Sequence, residues 1–224
     1  MSRLAVAVMC RVPHGGGGKS RLREHLDARF VEELQAAMLA DTFASLENTH
    51  ATDRIAFVAP LPPLVATDAM APYLPPGWSV VAQEGADLGA RILHALRCSF
   101  DRGAARVVVT GADAPLLSLP REELLGLAED QALVVPTDDG GYAAIGLARP
   151  EPSLFVDMPW STSAVMAETR RRATACGLRV RELPRIFDID EPADVERLRA
   201  ELARSPSRAP ATASLLLDAS ATPI

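Results

Sequence analysis

Cysteine is scarce in this chain. Its 224 residues hold three, Cys10, Cys98 and Cys176, too scattered for a disulfide framework and with no C-x-x-C pair, so neither a stapled secreted fold nor a thiolate zinc site is expected. The four histidines, His14, His25, His50 and His94, form no H-E-x-x-H pair and sit in no nucleophile elbow, which removes zinc proteases and serine hydrolases from consideration. Positive charge is in the minority, 23 Lys and Arg against 29 Asp and Glu for a net −6. A broad basic face for nucleic-acid backbone is therefore not expected, and the partners should be small molecules. No apolar run approaches the ~20 residues that span a bilayer, and Leu4 to Cys10 is too short for a signal segment. No solenoid period repeats. These absences together predict a reduced, cytoplasmic protein that binds neither nucleic acid nor membrane; its oligomeric state, monomer or homodimer, is left open by the sequence.

An apolar fraction of 48% with 23% charged residues is that of a globular protein. Short apolar runs alternate with longer amphipathic stretches, the pattern of parallel strands joined by crossover helices. Strands are predicted at 4–10, 54–59, 79–82, 106–110, 132–136 and 142–147, with a seventh at 179–183. Helices are predicted at 29–47, 88–101, 121–129, 163–176 and 192–204. The fold class that follows is α/β, one domain over 1–204 with a mostly parallel central sheet. Residues 205–224, rich in Ser, Ala, Pro and Thr with only Arg208 and Asp218 charged, are expected to form a disordered tail.

The most informative segment follows the first strand: Pro13-His14-Gly15-Gly16-Gly17-Gly18-Lys19-Ser20-Arg21-Leu22. Four glycines remove the Cβ atoms that would hold a phosphate away from backbone N–H groups, and a helix start beyond them favours an anion. Residues 11–29 carry five cations against Glu24 and Asp27, while the rest of the chain carries 18 against 27 carboxylates. A basic spot in an acidic protein suits a polyphosphate; the competing reading is a surface turn with solvated cations. A Walker A loop is not matched, because its first glycine would fall at position 13, where this chain has Pro13.

Five further segments carry chemistry. Asp113 ends the Val107-Val108-Val109 strand, at the sheet edge where open α/β folds bind ligands, and there it can hold Mg²⁺ or simply cap a turn before Ala114-Pro115. Asp188 and Asp190 straddle Ile189, so in an extended segment both face one cation, or Asp190 caps the helix that Pro192 opens. Gly85-Ala86-Asp87-Leu88-Gly89-Ala90-Arg91 reads as a loop opening a helix with Asp87 as its N-cap. Asp138-Asp139-Gly140-Gly141-Tyr142 lies between two strands as a tight turn, and Trp160-Ser161-Thr162-Ser163 precedes a helix whose N–H groups would suit an anion. In a chain only 4% aromatic, Tyr142 and Trp160 are either pocket walls or core.

Taken in chain order, these segments and the glycine loop resemble the nucleotidyltransferase and glycosyltransferase-A superfamily, and within it the bacterial glycosyltransferase-like (DUF2064) family related to phospholactate guanylyltransferases. The resemblance spans residues 4 to about 200. It departs at the loop, where a P-x-P-G core is usual and this chain has Pro13-His14 and four glycines, and at Asp138-Asp139, where a Glu-Asp pair is usual. The resemblance implies a nucleotide-diphospho-sugar transferase-like, Rossmann-like fold. It implies nucleotide binding by Gly15 to Gly18, Lys19, Arg21, Gly85, Asp87, Leu88, Gly89 and Arg91, with Lys19, Arg21 and Asp113 catalytic. Acceptor binding falls to Asp139, Gly140, Gly141, Tyr142, Trp160, Ser161, Thr162 and Ser163. Mg²⁺ or Mn²⁺ would be held by Asp113 with Asp188 and Asp190, Asp188 being the favoured second ligand and Asp190 the helix cap.

The reaction expected is transfer of a nucleoside monophosphate from an NTP to a small phosphorylated acceptor, with release of pyrophosphate. An acceptor phosphate is already ionised at neutral pH, so no general base is needed. The alternative is a glycosyltransferase using a nucleotide sugar, with Asp139 as base for an acceptor hydroxyl. A third reading is a nucleotide-binding protein without turnover.

Overall fold

β1 (Leu4–Cys10) is apolar at every position and lies at the centre of the molecule, with Ala5, Val6, Ala7 and Val8 fully buried. That continuous run is the signature of a strand covered on both faces. In this computed structural model, which describes residues 3–15, 17–59 and 63–218, β1 pairs in parallel with β2 (Asp53–Val58) and β4 (Arg106–Gly111). β3 (Ser79–Ala82), β5 (Gln131–Pro136), β6 (Tyr142–Leu147) and β7 (Arg179–Glu182) complete a seven-stranded sheet of order β3-β2-β1-β4-β6-β5-β7. Only β6 runs against the others, antiparallel to both β4 and β5. The mostly parallel α/β sheet read from the sequence is the sheet observed, and all seven predicted strands are present.

Side chains alternate between two cores, as the pleat dictates. Val6 and Val8 with Val108 enter one core, against Leu39 and Phe43 of α2 (Ala28–Glu47); Ala5 and Ala7 with Val107 and Val109 enter the other, against Ile92 and Leu96 of α4 (Leu88–Asp101). Asp27 caps α2 by accepting from the Arg29 and Phe30 N–H groups, and Asp87 caps α4 by accepting from Ala90 N at 2.8 Å. The cap read at Asp87 is thus present.

Several boundaries differ from expectation. The helix predicted at 121–129 is α5 (Arg121–Leu125), stopped at Gly126, and that predicted at 163–176 is α6 (Val165–Ala175). Two unexpected helices are α1 (Ser20–Arg23), directly after the glycine loop, and α3 (Pro63–Met70).

The larger correction concerns the tail. After α7 (Pro192–Arg204) and a turn at 206–208, Pro210–Leu217 forms α8, packed against α2 and α7 rather than disordered. Its Ala213 and Leu216 bury in a third cluster with Leu34, Met38, Phe187, Ile189 and Leu198. The orphan N–H groups of its first turn are met by Asp41, a buried carboxylate on α2 that accepts from Ala211 N at 3.0 Å and Thr212 N at 2.8 Å. Composition hides this partner, which lies 170 residues upstream. Residues 219–224 lie outside the described residues. Among the described residues no helix is long and apolar enough to cross a membrane.

Candidate active site

The carboxyl ends of β1 to β5 and the start of β6 share one edge of the sheet, and there a cleft of about 710 Å³ opens. Arg11, Lys19, Gln83, Leu88, Arg91, Asp113, Asp139, Tyr142, the 160–163 segment, Asp188 and Asp190 line it, and Trp160 sits against the first turn of α4, where a Cβ on Gly89 would fall 2.9 Å from its Nε1.

Lys19 is placed by the loop. Gly15, Gly17 and Gly18 adopt positive φ of 70°, 71° and 95°, and Lys19 itself follows at 51° before α1 begins. Only glycine takes such a succession without steric cost. Around it Arg23 donates from Nε to Gly18 O at 3.1 Å, and His14 Nδ1 lies 2.5 Å from Tyr73 Oη. The result is a lysine only 10% exposed whose Nζ lies 2.7 Å from Asp190 Oδ1 and 3.3 Å from Asp113 Oδ2. Burial disfavours the ammonium, but the two carboxylates more than offset it and hold its pKa above the ordinary value. The same charge holds Asp113 below the usual carboxylate range against the opposing effect of burial. Arg21 is different: it is two-thirds exposed at the rim, 3.4 Å from Glu191 Oε1.

The two acidic segments are stitched together by backbone. Ile189 N donates to Asp113 O at 2.9 Å, and Ile186 N donates to Pro136 O at 3.1 Å, so residues 186–190 run beside the ends of β4 and β5. Ile189 is fully buried in the third core, which by the two-residue period turns Asp188 and Asp190 to the cleft. Asp190 pairs with Lys19 and is not the helix cap; that role belongs to Glu191, in a capping box with Asp194.

Asp188 faces neighbours of its own sign. Desolvation, then the charges of Asp139, Asp190 and Asp113, push its carboxyl up to about 6. A carboxyl raised in the folded state contributes stability that is present below ~pH 4 and lost as pH rises through about 6. In chelator, Asp188→Asn is therefore expected to exceed the wild-type chain in stability at pH 7 and to match it at pH 4. Urea unfolding at the two pH values checks this, and a difference independent of pH would contradict it.

Asp139 Oδ1 is fixed by Thr137 Oγ1 at 2.5 Å and Gly141 N at 2.9 Å. Tyr142 and Trp160 meet edge to face with centroids 6.2 Å apart, and neither the Tyr142 hydroxyl nor the Trp160 indole N–H has a protein partner. Cys10 also lines the cleft, but burial pushes its thiol up to about 12, so it is no thiolate at neutral pH.

Residues 42–162 match the family described as "Uncharacterized protein conserved in bacteria (DUF2064)". The chain belongs to the DUF2064 family. It is 30% identical to a candidate nucleotide-diphospho-sugar transferase from Desulfovibrio desulfuricans G20 of known structure; the match covers 99% of this chain and 96% of that one, with a TM-score of 0.85. At 15% identity it is similar to CMP:2-keto-3-deoxy-manno-octonic acid synthetase complexed with CTP, over 91% of this chain and 99% of that one, TM-score 0.54. At 19% it is similar to Rv0371c of Mycobacterium tuberculosis H37Rv in complex with manganese, over 88% and 97%, TM-score 0.53. The latter two likenesses speak to the fold. No curated protein matches the chain by sequence.

In this DUF2064 protein the cleft gathers Gly18, Lys19, Arg21, Leu88, Arg91, Asp113, Asp139, Gly141, Tyr142, Ser161, Thr162, Ser163, Asp188 and Asp190, with Trp160 among them. Gly15, Gly17, Gly85, Asp87, Gly89 and Gly140 do not line it, and Gly16 lies outside the described residues. Two of these glycines serve close packing instead. A Cβ on Gly89 would fall 2.3 Å from Phe155 O, and one on Gly140, at φ +90°, 2.3 Å from Ser163 O. Gln83 is a cleft residue that sequence reasoning passed over, and Arg11, counted there only among the cations of the loop region, lines the cleft as well. A compositional signal was also available, since Lys19 is the sole lysine beside 22 arginines. A compact ammonium fits between two carboxylates where a planar guanidinium would not.

Proposed function

We propose that this protein is a divalent-cation-dependent nucleotidyltransferase that moves a nucleoside monophosphate from an NTP to a small phosphorylated acceptor. The observation that carries the reading is Lys19, held on Asp113 and Asp190 in a cleft that Arg11, Arg21 and Arg91 also line. Four cations share the cleft with four carboxylates, Asp113, Asp139, Asp188 and Asp190, a charge pattern that matches a triphosphate bound together with a divalent cation.

The donor set suits a hard cation. Asp113 and Asp188 offer carboxylate oxygens beside unbalanced negative charge, and a Mg²⁺ or Mn²⁺ ion there would neutralise it. Among the described residues no three His, Cys, Asp or Glu side chains converge on one point, so two carboxylates would hold the ion with phosphate and water oxygens filling the remaining positions. When bound, the ion would offset the charge that develops on the leaving pyrophosphate. Lys19 and Arg21 would hold the β- and γ-phosphates, releasing Asp190 from its pair. An acceptor phosphate oxygen would attack the α-phosphorus in line; the new P–O bond forms as the bond to the bridging oxygen breaks, and its electron pair leaves on pyrophosphate. No proton need move.

A panel of four NTPs and their diphosphate sugars, each with and without Mg²⁺, tests the reading by thermal shift. The expected result is a Mg²⁺-dependent rise with one NTP, since a ligand at ~100 times its Kd stabilises by ~2.7 kcal/mol. A rise with a nucleotide sugar and with no NTP would favour glycosyl transfer, in which Asp139, anchored through Oδ1, would accept a hydroxyl proton.

A further inference from the structure

Lys19 carries the one side-chain ammonium in the chain, and it is already spent on carboxylates: Nζ sits 2.7 Å from Asp190 Oδ1 and 3.3 Å from Asp113 Oδ2, on a side chain 10% exposed. Asp113 has one oxygen to offer. Its Oδ1 lies against the backbone of Gly111, where a Cβ would fall 2.6 Å away, so Oδ2 is the oxygen left for a partner and the ammonium holds it. Asp190 is fixed from behind, its N–H donating to Asp194 Oδ2 at 3.1 Å. Asp188 feels the charges of Asp139, Asp190 and Asp113 together, so four carboxylates act on one part of the cleft. Among the described residues Lys19 is the only cation paired with any of the four.

We infer that Lys19 is a resident counter-ion that guards the cation site: in the empty protein its ammonium keeps divalent cations off Asp113 and Asp190, and it yields those carboxylates when a triphosphate draws it away. The inference rests on the nucleotidyl-transfer reading, which puts the cation on Asp113 and the phosphates on Lys19. An ammonium and a dication on the same carboxylate oxygen repel each other strongly, so Asp113 Oδ2 accepts one or the other. A triphosphate offers the ammonium more negative charge than two carboxylates do, and a compact charge on a flexible stem can turn to meet it. Once Lys19 turns, Asp113 and Asp190 recover their full charge beside Asp188, and oxygen ligands of that kind suit the cation that accompanies the phosphates. Cation and triphosphate therefore bind with positive coupling, and the cation alone binds weakly.

Titration of the full chain with Mn²⁺ tests this without nucleotide or turnover, because electron paramagnetic resonance reads the unbound ion directly. Lys19→Ala is expected to bind Mn²⁺ more tightly than the wild-type chain by about tenfold or more, the size of an ordinary coupling between two sites. Lys19→Met, which keeps the apolar stem and drops the charge, should do the same. Arg21→Ala removes equal charge from the exposed rim, where water screens it, and should change the affinity by less than about threefold. Adding Asp113→Asn to Lys19→Ala should abolish the gain. No gain in either Lys19 variant, a gain matched by Arg21→Ala, or a gain that survives Asp113→Asn overturns the inference. Failure of the nucleotidyl-transfer reading is seen separately, as the absence of pyrophosphate from any NTP in a protein whose Mn²⁺ affinities follow this pattern.

Discussion

Lys19→Ala is expected to lower kcat/KM for nucleotidyl transfer by about 10²–10³, the usual cost of deleting one pre-placed donor from a site where charge develops. Alanine meets the same left-handed backbone as lysine at φ 51°, so the loop itself should persist. The carboxylates left behind, Asp113 and Asp190, are each nearly half exposed and reach water once the ammonium is gone. The stability change should accordingly stay within ~1 kcal/mol. Lys19→Arg should not rescue the rate, because a guanidinium fork cannot occupy the single point 2.7 and 3.3 Å from two different carboxylates. Steady-state kinetics with urea unfolding as control checks both variants. A rate within threefold of the wild-type chain would remove Lys19 from the chemistry.

Deleting residues 206–224 should cost more stability than any single substitution considered above. Leu216 is 4% exposed against α2 and α7, and truncation of one such leucine to alanine costs ~2–5 kcal/mol. Loss of α8 also uncovers Ala209 and Ala213 and strips the buried Asp41 carboxylate of both its donors, a further ~1–3 kcal/mol. Together these approach the whole ~5–15 kcal/mol that holds a domain of this kind folded. The damage should reach the cleft, because the same cluster seats Ile189 between Asp188 and Asp190. Leu216→Ala, milder, should unfold at lower urea with an unchanged slope. A truncated chain that melts within a few degrees of the full one would contradict the packing described.

The sequence makes the sheet legible because burial on both faces leaves unbroken apolar runs, as in Leu4–Cys10 and Val107–Val109. What joins distant segments is less visible. α8 has few charges and many small residues, and its stability comes from Asp41 and the α2 surface, which no local pattern announces. Asp190 reads locally as a helix cap beside Pro192, yet Glu191 and Asp194 share that task and free Asp190 for a lysine 171 residues away. Gly89 and Gly140 read as ligand contacts, but their missing Cβ atoms admit the Phe155 and Ser163 carbonyls. Close backbone approach to protein and to ligand calls for the same residue, so sequence alone does not separate them.

The identity of the leaving group tests the central claim most directly. With Mg²⁺, the four NTPs and a panel of small phosphate monoesters, phosphorus NMR of the reaction should show pyrophosphate accumulating in step with a new diphosphate diester, and neither signal in Lys19→Ala. Release of a nucleoside diphosphate from a nucleotide sugar, with no pyrophosphate from any NTP, would contradict nucleotidyl transfer.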